Sequence, residues 1–327
     1  MKAIRLHQFG GPEELRLDDV PMPKPGEGEV RIRVYASGLN FTDLAQREGR
    51  LPGAPPLPFI PGLEAAGVVD AVGPSVEGLA PGARVVAILP GQGAFSTHAV
   101  APAATTLRIP DSVSFEQAVC LPAQAPTALL GLREGARLRE GESVYIPSAA
   151  GGVGSLLVQV AKRMGASRVI GGVSRESKRA LVSRLGADAT VDTSRPDWPE
   201  QVREATRGLG ADIVFVAGGG EVPGQSLRAL AFRGRLVLYG AESMFGTQWS
   251  IEQMAGVLAQ NQSITGFATF TLPFESRHAA LREALTLVER GHLQPVIGQS
   301  FPLEAVAQAH QAMAERSTTG KVVIRVE

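Results

Sequence analysis

The sequence predicts an α/β protein of two domains: a doubly wound parallel sheet in the middle of the chain, and a β-rich domain assembled from its two ends. Three observations carry this. Between residues 143 and 267 apolar strand segments alternate with helical segments, the pattern of a parallel sheet with helices on both faces. Within it, Tyr145 to Leu156 reads as a strand end, a turn of small residues and a helix start. Before Ser114 the texture is different, with short apolar runs separated by Pro- and Gly-rich turns such as Pro23-Lys24-Pro25-Gly26. A chain of 327 residues also suits two domains better than one.

The elements follow in order. Alternating or apolar runs predict strands at Lys2–Gln8, Glu29–Ser37, Ala65–Val72, Arg84–Ile88 and Thr97–Pro102. A helical stretch runs from Ala123 to Leu132. The alternating part then gives strands at 143–146, 168–173, 189–191, 212–216, 234–239 and 263–267, with helices at 152–164, 176–185, 198–206, 224–231 and 251–259. A helix (Phe274–Arg290), a strand (Val296–Phe301), a helix (Leu303–Glu315) and a strand (Lys321–Val326) close the chain. The expected domains are therefore 1–121 with 268–327, and 122–267, with a cleft between them.

The turn Ser148-Ala149-Ala150-Gly151-Gly152-Val153-Gly154 is the expected phosphate-binding corner. Small residues let the backbone approach a pyrophosphate, and a helix N-terminus offers free N–H groups and partial positive charge. The spacing is A-x-G-x-x-G rather than G-x-G-x-x-G, and alone it would fit any tight strand-to-helix turn. An acid for the ribose 2′-hydroxyl belongs at the end of the next strand. Val173 is followed instead by Ser174, Arg175 and Lys178, a hydroxyl and two cations that suit a 2′-phosphate and hence NADPH. The plainer alternative is a solvated basic helix start. Ala217 with Gly218, and Tyr239 with Gly240, lie at expected strand ends, where ligands of such sheets bind. Phe267 begins the return to the first domain and is placed beside the nicotinamide.

Composition excludes several classes. Lys plus Arg and Asp plus Glu both number 32, so nothing favours nucleic acid or an anionic membrane. No apolar run approaches the roughly 18 residues of a membrane span. A strand opens at Lys2 without a leader-like segment, and a cytoplasmic location is the expectation. One cysteine, Cys120, excludes an internal disulfide and any cysteine-rich metal site. Cys120 and His310 read as structural.

Ala36-Ser37-Gly38-Leu39-Asn40-Phe41-Thr42-Asp43, then Pro61-Gly62-Leu63-Glu64-Ala65-Ala66-Gly67, Ala149–Gly154, Leu185-Gly186-Ala187-Asp188 and Gly320-Lys321-Val322-Val323 together resemble the medium-chain dehydrogenase/reductase superfamily. The most similar branch is the zinc-free quinone oxidoreductase, or zeta-crystallin-like, group. The resemblance implies a GroES-like catalytic domain, a Rossmann NADPH-binding domain and a homodimer joined through a Rossmann edge strand, here Ser263–Phe267. Zinc-dependent relatives hold the metal with two Cys and a His, at positions that align with Asn40, Leu63 and Gln124. Two amides and an alkyl group do not bind zinc.

What a metal-free site does readily is deliver hydride from NADPH to an electron-poor acceptor, a quinone or an α,β-unsaturated carbonyl. Asn40, Asp43 and Gln124 are the expected catalytic residues. Asn40 donates its amide N–H to the oxygen that gains charge; its alternative is a turn residue between strand and helix. Asp43 follows at the family's Asn-x-x-Asp spacing; its alternative is a helix cap. Gln124 and Thr127 lie in Leu121-Pro122-Ala123-Gln124-Ala125-Pro126-Thr127-Ala128, which lines the nicotinamide pocket by resemblance. Many relatives carry a tyrosine after Arg-x-Gly-x, where this chain reads Arg47-Glu48-Gly49-Arg50-Leu51, a departure that argues against enoyl-thioester reduction, although an enoyl or alkenal reductase of the same superfamily stays an alternative. The competing class is a nucleotide-binding protein with little catalysis.

Overall fold

The chain opens with a mostly buried strand, β1 (Lys2–Leu6), paired antiparallel with a mostly exposed one, β2 (Leu15–Asp19). They begin a computed structural model that describes residues 1–51 and 53–326, with 241 and 244 described for their backbone only. Next come β3 (Glu29–Leu39), α1 (Phe41–Arg47), β4 (Glu64–Val72), β5 (Arg84–Ile88), β6 (His98–Pro102), β7 (Thr106–Arg108) and α2 (Phe115–Val119). The middle of the chain is α3 (Gln124–Leu130), β8 (Ser143–Ile146), α4 (Gly152–Arg163), β9 (Arg168–Val173), α5 (Arg179–Arg184), β10 (Ala189–Asp192), α6 (Trp198–Ala205), β11 (Ala211–Val216), α7 (Val222–Arg228), β12 (Leu230–Tyr239), α8 (Ile251–Ala259) and β13 (Ser263–Phe267). It ends with α9 (Phe274–Glu289), β14 (Ile297–Pro302), α10 (Val306–Ala314) and β15 (Lys321–Arg325).

Two compact units result, residues 1–124 with 281–327, and residues 125–280. In the first, the sheet order is β14-β15-β3-β4-β5-β7, with β6 also on β3. β3 pairs with β4 along one edge; on the other it takes β6 at residues 29–33 and β15 at residues 36–39. Val30, Ile32 and Val34 point into one cluster with Val69, Val85 and Leu89. Leu39, Val322 and Ile324 join Ile4, Leu6, Phe95 and Val306 in another. The registers bring three polar residues to one sheet end. Gly38 pairs with Glu64 and with Val323, and Leu39 with Val322, so Asn40, Glu64 and Lys321 are neighbours across β3.

The second unit is a six-stranded parallel sheet in the order β10-β9-β8-β11-β12-β13. The order reverses between β8 and β11, and ligands of such sheets bind outside the strand ends at that switch point. Near-continuous burial along β8 and β11 is what helices on both faces require. The predicted α/β class and the doubly wound sheet are both present.

Differences are local. β2, β7 and α2 were not expected; each has five residues or fewer, too short to show a period, and the helix start weighed at Asn40 and Asp43 is α1. The helix expected over Ala123–Leu132 is α3 followed by a π turn at Gly131–Gly135. β12 starts at Leu230, inside the segment expected to be helix, because Leu230, Ala231 and Leu236 are buried in the sheet.

Candidate active site

The first unit buries a polar cluster at the common end of β3, β4 and β15. Lys321 and Glu64 form an ion pair whose side chains are 2% and 0% exposed. Asn40 Oδ1 accepts from Lys321 Nζ at 2.8 Å, and Asn40 Nδ2 donates to Glu64 Oε2 at 2.7 Å. Glu64 Oε1 accepts the Ala123 N–H at 2.7 Å. Gln124, oriented with its oxygen toward the ammonium, accepts from Lys321 Nζ at 2.6 Å and donates to the Cys120 carbonyl at 2.6 Å. The opposite orientation would aim its NH2 at the ammonium and keep a single 3.1 Å bond to Asn40 Oδ1. Small size at Gly38 lets the pair meet: a Cβ there would lie 2.6 Å from both Glu64 Oε2 and Lys321 Cε.

Asn40 sits at the start of α1, half-buried and extended, with φ −124° and ψ 157°. Asp43, 1% exposed, accepts the Asn40 N–H on Oδ2 at 2.7 Å, the back-bond of a capping box. Its Oδ1 is buried without a hydrogen-bond partner among the described residues. Burial pushes the Asp43 carboxyl up to about 7, and Glu64 adds to the rise; the Asn40 N–H and Lys321 oppose it. Cys120 donates its thiol to the Glu116 carbonyl at 3.0 Å, and burial pushes the thiol up to about 12. At neutral pH it is not a nucleophile.

In the second unit β8 leads into Ser148, which takes φ +49°, and then into α4. Gly154 is there for space. A Cβ would lie 2.3 Å from the Ser148 carbonyl oxygen and 2.9 Å from Ala149 Cα, so only glycine lets the helix approach the turn this closely. Ala149 and Ala150 are buried, Ser148 is exposed, and Gly151, Gly152 and Val153 are half-exposed. The corner thus presents backbone to its outer side, and the first N–H groups of the twelve-residue α4 have no helical partner. Beyond β9, Ser174 and Arg175 are exposed and Lys178 is half-buried. Burial and the neighbouring Arg175 hold the Lys178 ammonium below the usual lysine range. Ala217 and Gly218 follow β11 and are half-exposed; Gly240, with φ +80°, follows β12 and is exposed. Thr127 is bonded to Thr269 between their hydroxyl oxygens at 2.8 Å.

Residues 152–290 match the family described as "Zinc-binding dehydrogenase", and residues 26–111 the "Alcohol dehydrogenase GroES-like domain". A quinone oxidoreductase of Pseudomonas aeruginosa is 36% identical over 99% of this chain and 99% of its own. The chain belongs to the medium-chain dehydrogenase/reductase superfamily, in its quinone oxidoreductase branch. A 2-haloacrylate reductase of a Burkholderia species is 33% identical, covering 98% of each chain. Among solved structures, the Escherichia coli quinone oxidoreductase complexed with NADPH superposes with a TM-score of 0.90, at 29% identity over 100% of both chains. A protein described as an NAD-dependent alcohol dehydrogenase gives 0.92, at 36% identity over 100% of both. This chain is an oxidoreductase of that branch.

Among the described residues no group of three or more His, Cys, Asp or Glu side chains is placed to hold a metal ion. At the place of the zinc ligands of relatives stand Asn40, Leu63 and Gln124, and the ammonium of Lys321 lies among Asn40, Glu64 and Gln124. Three more of the expected site residues are buried. Gln124 is 5% exposed and uses both ends of its amide inside the protein, so it supports the cluster rather than reaching outward. Tyr239 is a core ring, edge-to-face with Phe215. Phe267 is buried over Gly131 and Gly135, where a Cβ on Gly135 would lie 2.9 Å from its ring. Glu64 and Lys321 were quoted for resemblance and not as site members. Their signal was present: each is a charged residue that opens a strand and is followed by at least three apolar or glycine residues.

Proposed function

We propose that this chain is an NADPH-dependent, zinc-independent reductase of quinones or related activated alkenes. One observation carries the reading: the site's positive charge is a lysine ammonium that holds the Asn40 amide, and among the described residues no cluster of metal-binding side chains stands beside it. In such a site there is no Lewis acid to stabilise an alkoxide, so acceptors that are already electron-poor are the natural substrates. The quinone oxidoreductase and 2-haloacrylate reductase relatives support both acceptor classes.

The turn Ser148–Gly154 and the N-terminus of α4 would hold the pyrophosphate, since the backbone is bare there and the helix end favours an anion. Ser174, Arg175 and Lys178 would take the 2′-phosphate, and no carboxylate ends β9 to prefer a free hydroxyl. Bound NADPH supplies the hydride. Asn40 receives the negative charge that develops on the acceptor's oxygen, through an amide N–H held in place beforehand. Cys120 takes no part, its thiol being protonated and buried.

The test is oxidation of NADPH and NADH with benzoquinone, naphthoquinone and 2-chloroacrylate as acceptors. NADPH should be preferred, and Arg175→Ala/Lys178→Ala should weaken its binding by no more than a few kcal/mol. Charged hydrogen bonds give about 1.5–3 kcal/mol each, and these are partly exposed to solvent. Equal use of both cofactors, as the neighbour described as NAD-dependent would suggest, refutes the cofactor assignment. Tight NADPH binding with no turnover on any acceptor supports instead a nucleotide-binding protein.

A further inference from the structure

Lys321 has three ammonium protons and three oxygen partners: Asn40 Oδ1 at 2.8 Å, Gln124 Oε1 at 2.6 Å, and Glu64 Oε2. Asn40 Nδ2 gives one N–H to Glu64 Oε2 at 2.7 Å, and its second N–H has no partner among the described residues. Asn40 is the half-buried member of a cluster whose other side chains are 5% exposed or less. Turning the Asn40 amide over would point its NH2 at the ammonium and its oxygen at the carboxylate, two repulsive contacts. The ion pair therefore admits a single amide orientation. A cation on the amide oxygen also draws electron density from the nitrogen and strengthens its remaining N–H as a donor. Stability alone does not account for such a pair, because apolar residues of the same volume often do as well.

We propose that Lys321 is a positioning residue for the reaction: it fixes and polarises the Asn40 amide so that the free N–H meets the acceptor's oxygen as charge builds there. This rests on the reductase reading, in which Asn40 receives that oxygen.

The test removes the pair together, as Lys321→Met/Glu64→Gln, so that no buried charge is left alone. Circular dichroism and NADPH affinity report the fold, and both should match the parent. The turnover number should fall about 100-fold, the effect of losing one oxyanion donor. Asn40→Ala should lose a similar factor alone and nothing further in the double variant, because the residues act as a unit. A second readout is binding of 4-nitrophenolate to the NADP⁺-loaded protein, its oxygen carrying the charge a reduced quinone would carry; affinity should fall at least tenfold. Gln124→Met, which frees one ammonium proton and keeps all charges, should lower turnover about tenfold, the measure of one hydrogen bond. It serves if the double variant does not fold. Turnover and phenolate affinity within twofold of the parent in a folded double variant, losses that add with Asn40→Ala, or an unchanged Gln124→Met where the double variant is unfolded, would overturn the proposal. If the parent binds NADPH yet reduces no acceptor, the reductase reading fails instead, and phenolate affinity alone decides on Lys321.

Discussion

Two buried residues of the first unit titrate in opposite senses. Asp43 has its carboxyl raised by burial to about 7, so between about pH 4 and 7 the folded chain binds the extra proton. Its contribution is present at low pH and is lost as pH rises through that window. His310, 0% exposed, accepts from Arg47 Nη1 at 3.4 Å on Nδ1; burial, with Arg47 beside it, pushes the imidazole down to about 3. Its contribution is present above about pH 6.5 and is lost as pH falls. Each slope is bounded by about 1.4 kcal/mol per pH unit, and the two oppose each other from about pH 4 to 6.5. Relative to the parent, Asp43→Asn should make stability climb more steeply with pH over that range. His310→Asn should make it climb less or fall. Urea unfolding at half-unit pH intervals measures both; a pH profile unchanged by either substitution would remove the physical basis for the pair.

At the scale of elements, two glycines separate what the fold does for the cofactor from what it does for the acceptor. Gly154→Ala puts a methyl into the Ser148 carbonyl and must push α4 off its turn; Gly38→Ala puts the same methyl between Glu64 and Lys321. Overpacking of this kind costs about 1–3 kcal/mol. Both variants should therefore melt earlier, but Gly154→Ala should lose NADPH affinity and Gly38→Ala should keep it while losing turnover. The reverse pattern, or loss of NADPH affinity in both, would contradict the assignment of the two ends. The same elements show what a sequence discloses. The corner Ser148–Gly154 was legible because its residues are contiguous and their chemistry is local. Asn40 was legible from a strand running into a helix start. The partners of Asn40 were not, because Glu64 lies 24 residues away and Lys321 lies 281 away. Only the registers of β4 and β15 on β3 bring them together. Nor does a tyrosine at a strand end, such as Tyr239, reveal whether its ring faces ligand or core.

For the whole molecule, the open question in the fold is the free edge of the six-stranded sheet. β13 pairs with β12 and has no second neighbour among the described residues. The helix before it, α8, carries Ile251, Met254 and Leu258 at its first, fourth and eighth positions, along a single face, and Ile251 and Leu258 are 85% and 81% exposed. Phe232 on β12 is 60% exposed as well. An unpaired strand beside an apolar helix face is a liability in a monomer and an interface in a dimer. The homodimer that the resemblance implies would place a second copy, related by a two-fold axis, on this edge. The helix is the better place to probe, because its exposed side chains support no core, whereas a proline in β13 risks the sheet itself. Ile251→Glu/Leu258→Glu should leave circular dichroism unchanged and convert a dimer into a monomer in sedimentation velocity at micromolar concentration. Four charges brought together across a two-fold interface would be desolvated and repelled, which the remaining apolar contacts could not offset. A parent that sediments as a monomer would end the idea. A double variant that stays dimeric while folded would show that α8 lies outside the contact.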